Sequence, residues 1–471
     1  MNIEQLRNDY ESAGQGHVFR FWDQLTDTQK TQFAEQLSEV DLQEMAHLIE
    51  TLIRGDGSEE TNFDALEPAP YIAHPENGGD SEKWAQARES GEQALRAGRV
   101  AAFTVAGGQG TRLGYDGPKG TFPVTPVREA TLFQVFAEKI QCASTTYEST
   151  IPWFIMTSRI NHEATVSFFK ENQFFGLGEE NVIFFSQGMM PAVDFDGKLI
   201  LEAKDSLALS PDGHGGSLRA LVRSGASSKM EHLGIDIISY FQVDNPLVQA
   251  IDPTFIGFHL ESQSEMSSKM IPKAYAEEKV GHFTILNDKL TVIEYSDLPD
   301  ELAQQVDDEG QLRFRAGSIA IHILSRAFVE KMGRGQGGLP MHRADKKIGA
   351  VNEQGITQKP SEPNGVKFEM FVFDSLPEAS HPVVIETPRD EDFSPVKNAE
   401  GVDSPESCRN DLLRQYARWL KATGVEIPTG EDGLPDRVFE ISPLRGFDRE
   451  SFVKNPQNQG LPIPESGEVL Q

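Results

Sequence analysis

The sequence predicts an α/β fold: a mixed, mainly parallel central sheet flanked by helices, with a helical segment before it and a small C-terminal domain after it. Three observations predict this. Short apolar runs alternate with helical stretches between residues 100 and 243, a pattern that implies right-handed βαβ units. Beyond Pro253 the pattern becomes hairpin-like, which adds antiparallel strands. Before residue 54 the apolar side chains recur at helical spacing. The expected domains are 1–95, an N-terminal helical segment and linker; 96–400, the central domain; and 401–471, the small C-terminal domain.

In chain order, Thr26 and Gln29 form a capping-box pattern ahead of Phe33 and Leu37. Leu42, Met45, Ile49, Leu52 and Ile53 continue the helical stripe. Residues 55–80 are rich in glycine, proline and acidic side chains and predict a loop. Residues 81–97 predict a helix stopped by Gly98. Strands are expected at 100–105, 153–156, 182–185 and 235–243, and helices at 132–140, 162–170 and 218–223. Together these make a Rossmann-like arrangement, whose ligands bind beyond the carboxyl ends of the strands. Residues 282–286 and 290–295 flank Asn287-Asp288 as a hairpin, and 316–323 predicts a further strand. A long helix is expected at 405–422, followed by a segment of undefined form around 438–445.

Composition narrows the function. The 471 residues are 38% hydrophobic and 25% charged, which fits a globular chain of two or three domains. A formal net charge of −30 repels nucleic acid and anionic membranes, so neither is expected as a partner. Binding an anion then requires a local basic pocket. Two cysteines, Cys142 and Cys408, lack Cys-x-x-Cys spacing and predict neither a disulfide scaffold nor a thiolate zinc site. The first residues lack a basic stretch followed by an apolar run, and no window approaches the ~18 apolar residues of a membrane span. The expected location is the cytoplasm, without an anchor.

The loop after the first strand carries the chemistry. Gly107, Gly108 and Gly110 leave main-chain N–H groups unobstructed, and Gln109 and Thr111 continue the run. Consecutive N–H groups of this kind can form a nest for anionic oxygens. Arg112 and Lys119 add full positive charge, one as a planar fork and one as a compact point charge. The combination suits a polyphosphate. It is neither common phosphate loop. From Gly108 the third glycine of the dinucleotide fingerprint would fall on Leu113, and Lys119 lies between Pro118 and Gly120 rather than before Ser or Thr.

Asp244 follows an apolar strand, where a carboxylate can hold Mg²⁺ bridged to substrate phosphates or simply cap the next turn. Asp194 and Asp196 form an Asp-x-Asp pair, a metal pattern of many nucleotide-sugar glycosyltransferases. They precede Gly197, and Asp-Gly favours a hairpin turn instead. The amide of Gln187 both donates and accepts, matching the paired edge of uracil, though a loop glutamine alone carries no assignment. Gly213, His214 and Gly215 open a helix, and a glycine-rich helix start favours anions.

The run Gly-Gly-Gln-Gly-Thr-Arg-Leu-Gly with Pro118-Lys119 resembles the signature of UTP-dependent sugar-1-phosphate uridylyltransferases, in particular the eukaryotic-type UDP-N-acetylglucosamine pyrophosphorylases. The likeness extends over roughly residues 85–450, through 363–369 and 389–398. It implies that UTP and N-acetylglucosamine 1-phosphate give a UDP-sugar and pyrophosphate with Mg²⁺; the sequence leaves the oligomeric state open, with a monomer favoured. It implies that Asp244 sits near the metal and the nucleotide phosphate, that Gln187 reads the base, and that Gly107, Gly108, Gln109, Gly110, Thr111 and Gly213 line the nucleotide. Arg112, Lys119 and Lys397 take the catalytic role of neutralising phosphate charge. His214, Gly215, Glu294, Ser318 and Lys367 fall to the sugar phosphate. His214 stands where relatives often carry Asn, and Ser318 where they typically carry Asn. The second departure leaves glucose or galactose 1-phosphate, or a broad preference, as alternatives. A glycosyltransferase using Asp194 and Asp196, and a catalytically silent nucleotide-sugar-binding protein, are rivals from other classes.

Overall fold

The computed structural model describes residues 2–55, 62–334 and 338–471. Of the expected 55–80 loop, residues 56–61 lie outside the described residues. The chain forms two compact units, and neither is continuous in sequence. One comprises Met1–Asp64, Gln187–Ser217 and Gly337–Asp374; the other comprises Ala65–Ser186, Leu218–Gln336 and Ser375–Gln471.

The larger unit is built on a mixed ten-stranded sheet. Its strands are β1 Val100–Val105, β2 Trp153–Thr157, β3 Val182–Ser186, β4 Ile237–Gln242, β5 Met266–Pro272, β6 Gly281–Leu286, β7 Lys289–Ile293, β8 Ala316–Ser325 and β9 Val383–Glu386, with the short edge strand Glu67–Pro68. β4, β1, β2 and β3 lie side by side and parallel, as the βαβ alternation implies. β8 turns the sheet mixed by pairing antiparallel with β4, β5 and β6. Every residue of β2 is buried, which explains why it reads as an unbroken apolar run. The hairpin between β6 and β7 closes on Asn287 and Asp288, at φ 51° and 62°. That left-handed pair is the turn asparagine and aspartate tolerate best after glycine.

Helices α1 Ser81–Arg96, α2 Leu132–Thr146, α3 His162–Glu171 and α4 Pro253–Glu261 pack on this sheet. α1 and α4 approach through two glycines. A Cβ on Gly91 would stand 1.7 Å from Pro253 O, and one on Gly257 would stand 1.6 Å from Ala87 O. The entropic cost of Gly91 inside a helix is therefore offset by close helix packing. The long helix α5 Pro405–Ala422 starts at a capping box between Ser404 and Ser407. The segment of undefined form after it contains a small parallel sheet, Glu440–Ile441 with Val469–Leu470.

The smaller unit has a separate core. Tyr10, Trp22, Phe33, Leu37 and Ile49 from the N-terminal helices pack with Met190, Val193, Leu199, Val366 and Phe368. The Thr26–Gln29 capping box is present. Helix Leu42–Leu48 passes into a π-helical turn, Ile49–Arg54. A three-stranded sheet joins His342–Lys346, Gly365–Glu369 and Val193–Asp194. Among the described residues no helix is long and apolar enough to cross a membrane.

Candidate functional site

In the larger unit, Val105 of β1 lies opposite Gln242 of β4 and Met156 of β2, so three parallel strands end at one level. The glycine loop and Asp244 leave from that level. Ala106 N–H donates to Met156 O at 2.7 Å, continuing the ladder for one residue. Asn161, fully buried, then holds the loop open: its Nδ2 donates to Ala106 O at 2.9 Å and to Gly108 O at 3.2 Å. Its Oδ1 accepts from Ser158 N–H at 2.8 Å.

Among the described residues the main-chain N–H groups of Gly107, Gly108 and Gln109 donate to no carbonyl. A Cβ added at Gly108 would meet nothing within 4 Å. Unengaged main-chain donors in sequence are what an anion's oxygens require. Gly110 and Thr111 lead into a short turn, Thr111–Leu113, on which Arg112 is exposed. Gly110 is required sterically, since a Cβ there would stand 2.7 Å from the ring of Tyr115. Lys119 is folded back onto the loop, its N–H donating to Gly108 O at 3.1 Å. Its Nζ stands 3.4 Å from Asp244 Oδ2, with both side chains about one-seventh exposed (16% and 14%).

Asp244 is held from behind. Lys139 of α2, itself buried, donates its Nζ hydrogens to Pro246 O, Leu247 O and Val248 O at 2.7, 3.1 and 2.7 Å. Asp244 O accepts from Val396 N–H at 2.7 Å, which brings the next residue, Lys397, to the same neighbourhood. Lys397 N–H donates to Asp403 O at 2.7 Å, and Lys397 Nζ lies 3.8 Å from Asp403 Oδ2. Asp403 has φ 57°, a left-handed residue that is not glycine. Burial pushes its carboxyl up, against the opposing pull of Lys397, and Asp244 adds to the rise.

Glu294 and Ser318 both border Gly281. Ser318 of β8 lies opposite Gly281 of β6, and a Cβ on Gly281 would stand 3.5 Å from Glu294 Oε1. Two residues on, Ala320 has φ 54° where β8 exchanges β6 for β4 as its neighbour, with a register shift against β5. Such a bulge re-aims the side chains beside it.

The smaller unit carries Gln187, Gly213, His214, Gly215 and Lys367. Gln187 is 8% exposed. Gly215 N–H donates to Met370 O and Met370 N–H to Asp212 O, both at 2.8 Å, so residues 212–215 are zipped to 370. Side chains are excluded there: Cβ atoms at Gly213 and Gly215 would stand 2.4 and 2.7 Å from the main chain of 370–371. His214 Nδ1 accepts from Val372 N–H at 3.2 Å, and its ring lies 5.4 Å from Phe371 and 5.7 Å from Phe373. Burial, with His342 nearby, pushes its pKa down to about 4, so the ring is neutral near pH 7 and its proton rests on Nε2. Lys367 is half-buried on the strand opposite Ala344.

Asp194 and Asp196 form the turn. Asp194 Oδ1 accepts from Asp196 N–H at 3.0 Å and Lys198 N–H at 2.8 Å, and Gly197 has φ 77°. Among the described residues no group of three or more His, Cys, Asp or Glu is arranged to hold a metal ion. Sequence reasoning missed Asn161, Lys139, Asn245 and Asp403. None stands in a pattern of its own, because their role is visible only from the contacts they make.

The sequence pattern of the UTP–glucose-1-phosphate uridylyltransferase family matches residues 58–413. The chain is 36% identical to UDP-N-acetylhexosamine pyrophosphorylase-like protein 1 of Xenopus tropicalis, over 98% of this chain and 96% of that one. It is 34% identical to the UDP-N-acetylglucosamine pyrophosphorylase of Saccharomyces cerevisiae, over 98% of each. The crystal structure of the uridine diphosphate N-acetylglucosamine pyrophosphorylase of Trypanosoma brucei superposes with a TM-score of 0.81 at 25% identity, covering 99% of this chain and 98% of that one.

Proposed function

The chain belongs to the UTP–glucose-1-phosphate uridylyltransferase family, and from that premise we propose that it joins UTP and N-acetylglucosamine 1-phosphate into UDP-N-acetylglucosamine and pyrophosphate. The observation that carries the reading is the pairing of Lys119 with Asp244 at the strand ends, beside unengaged loop amides. The likeness over nearly its full length to the UDP-N-acetylglucosamine pyrophosphorylase of Saccharomyces cerevisiae supports the choice of sugar.

The nucleophile is a phosphate oxygen of the sugar phosphate. It is ionised near neutral pH, so no general base is needed. It attacks the α-phosphorus of UTP in line, the bond from that phosphorus to the oxygen bridging to the β-phosphorus breaks, and pyrophosphate leaves with the electron pair. The protein contributes position and positive charge. Main-chain amides of Gly107, Gly108, Gln109, Gly110 and Thr111 receive the triphosphate, and Arg112 meets the leaving pyrophosphate. Lys119 and Lys397 draw charge from the reacting phosphates. Gln187 and Gly213 seat the uridine; His214, Gly215, Glu294, Ser318 and Lys367 seat the sugar phosphate.

The donor set suits Mg²⁺. Asp244 offers a hard carboxylate with Lys119 Nζ 3.4 Å from Oδ2, leaving lone pairs for a metal that takes one or two carboxylates plus phosphate oxygens. When bound there, Mg²⁺ would supply neutralisation of phosphate charge.

The test is pyrophosphate release from UTP with a panel of sugar 1-phosphates. N-acetylglucosamine 1-phosphate is expected to give the highest kcat/KM. A higher value with glucose or galactose 1-phosphate would replace the sugar; Ser318, with its short hydroxyl, favours that second reading. No release with any sugar would leave a nucleotide-sugar-binding protein.

A further inference from the structure

We propose that Asn245 is a positioning residue that keeps the segment bearing Lys397 in register with Asp244. The inference rests on the role of Lys397 given above. Asn245 directly follows Asp244 and is 5% exposed. Its side-chain amide makes two hydrogen bonds to one short stretch: Nδ2 donates to Asp392 O at 2.6 Å, and Oδ1 accepts from Ser394 N–H at 3.0 Å. The two bonds bracket Phe393 as a neighbouring strand would, although among the described residues the segment pairs with no strand there. Val396 N–H donating to Asp244 O continues the series at 2.7 Å. The main chain reaches Lys397 one residue later.

The segment's remaining ties go elsewhere. The Asp392 carboxylate accepts from Lys269 Nζ at 2.5 Å and Gln249 N–H at 2.8 Å, and also from Thr387 Oγ1. Ser394 Oγ donates to Asp411 Oδ2 of α5 at 2.7 Å. These bonds secure the segment to the body of the unit and survive without Asn245. The asparagine amide therefore has a narrower task, which is to fix the offset between Asp244 and Lys397. A neutral amide suits the task. It supplies one donor and one acceptor without placing a charge beside Asp244.

Misplacing a reacting group by about 1 Å costs roughly 10²-fold in rate. Asn245→Ala is therefore expected to lower kcat by about 10- to 100-fold. The UTP dissociation constant, measured by calorimetry with Mg²⁺, should stay within about twofold, because the glycine loop is untouched. Asn245→Asp keeps an acceptor for Ser394 N–H but turns an oxygen toward Asp392 O, and it should fall at least as far. It serves as the variant to read if the alanine form does not fold.

The deciding measurement is a double-mutant cycle with Lys397→Ala, its residual turnover read at high enzyme concentration. Lys397→Arg supplies the background if the alanine form leaves no signal. If Asn245 acts through Lys397, its substitution changes turnover less than about twofold in that background. A full additive loss there would overturn the inference, since it would show a structural effect or one acting through Asp244. Unchanged turnover in Lys397→Ala itself would instead overturn the role given to Lys397.

Discussion

Two loops, one in each unit, combine glycine with charged side chains and read in sequence as possible ligand sites. Residues 106–119 leave part of their polar surface unengaged: among the described residues the N–H groups of Gly107 and Gly108 meet no carbonyl, and Arg112 is exposed. Residues 194–198 turn theirs inward, with Asp194 Oδ1 taking two N–H groups of its own turn. Charge and glycine content do not separate the two. What separates them is the fate of the main-chain donors: those of Gly107 and Gly108 meet no carbonyl among the described residues, whereas Asp194 takes up two in the second loop.

The contrast breaks first at Lys119. Lys119→Ala should lower kcat by about 10²- to 10³-fold with the melting transition unchanged. Equal turnover would remove the loop from the chemistry. Next is Asn161→Ala, which deletes four side-chain hydrogen bonds, three of them buried. It should raise KM for UTP by about tenfold and cost roughly 2 kcal/mol of stability, read from urea midpoints. An unaltered KM would mean the loop keeps its shape unaided. Asp194→Ala should cost about 1 kcal/mol of stability and leave kcat within twofold. Loss of turnover there would restore the Asp-x-Asp glycosyltransferase reading.

The smallest effect concerns acid. His214 has its pKa lowered from 6.5 to about 4. Between those values the unfolded chain takes up a proton that the folded ring refuses. The stabilising contribution is therefore complete above pH 6.5 and is lost as pH falls toward 4. His214→Gln should flatten the decline by on the order of 1 kcal/mol, seen by comparing denaturation midpoints at pH 7 and pH 4.5. An identical slope would place the acid response elsewhere.

Much of the larger unit is legible in the sequence because its strands are buried on both faces and its helices are not. The 153–156 run and the 405–422 helix announce themselves by composition and by Pro405 in the first turn. The hairpin at 287–288 is legible for the same local reason. Long-range pairings are not. Nothing near Asn161 says that its amide will reach the carbonyls of 106 and 108, and Asn245 is one polar residue among many. The bend at Ala320 arises because β8 changes partner, a property of the sheet rather than of the strand. The π-helical turn at Ile49–Arg54 likewise lies within an apparently regular apolar stripe.

The core uniting the N-terminal helices with residues 187–217 and 337–374 has a consequence for synthesis. Tyr10, Phe33 and Leu37 emerge from the ribosome long before Val366 and Phe368, which belong to the same core. At roughly 5–20 residues per second, the intervening three hundred or so residues take on the order of 15 to 60 s to make. Residues 190–207 join this core partway through that interval, but its last side chains arrive only at its end, and a late frameshift near residue 340 would leave the core without them.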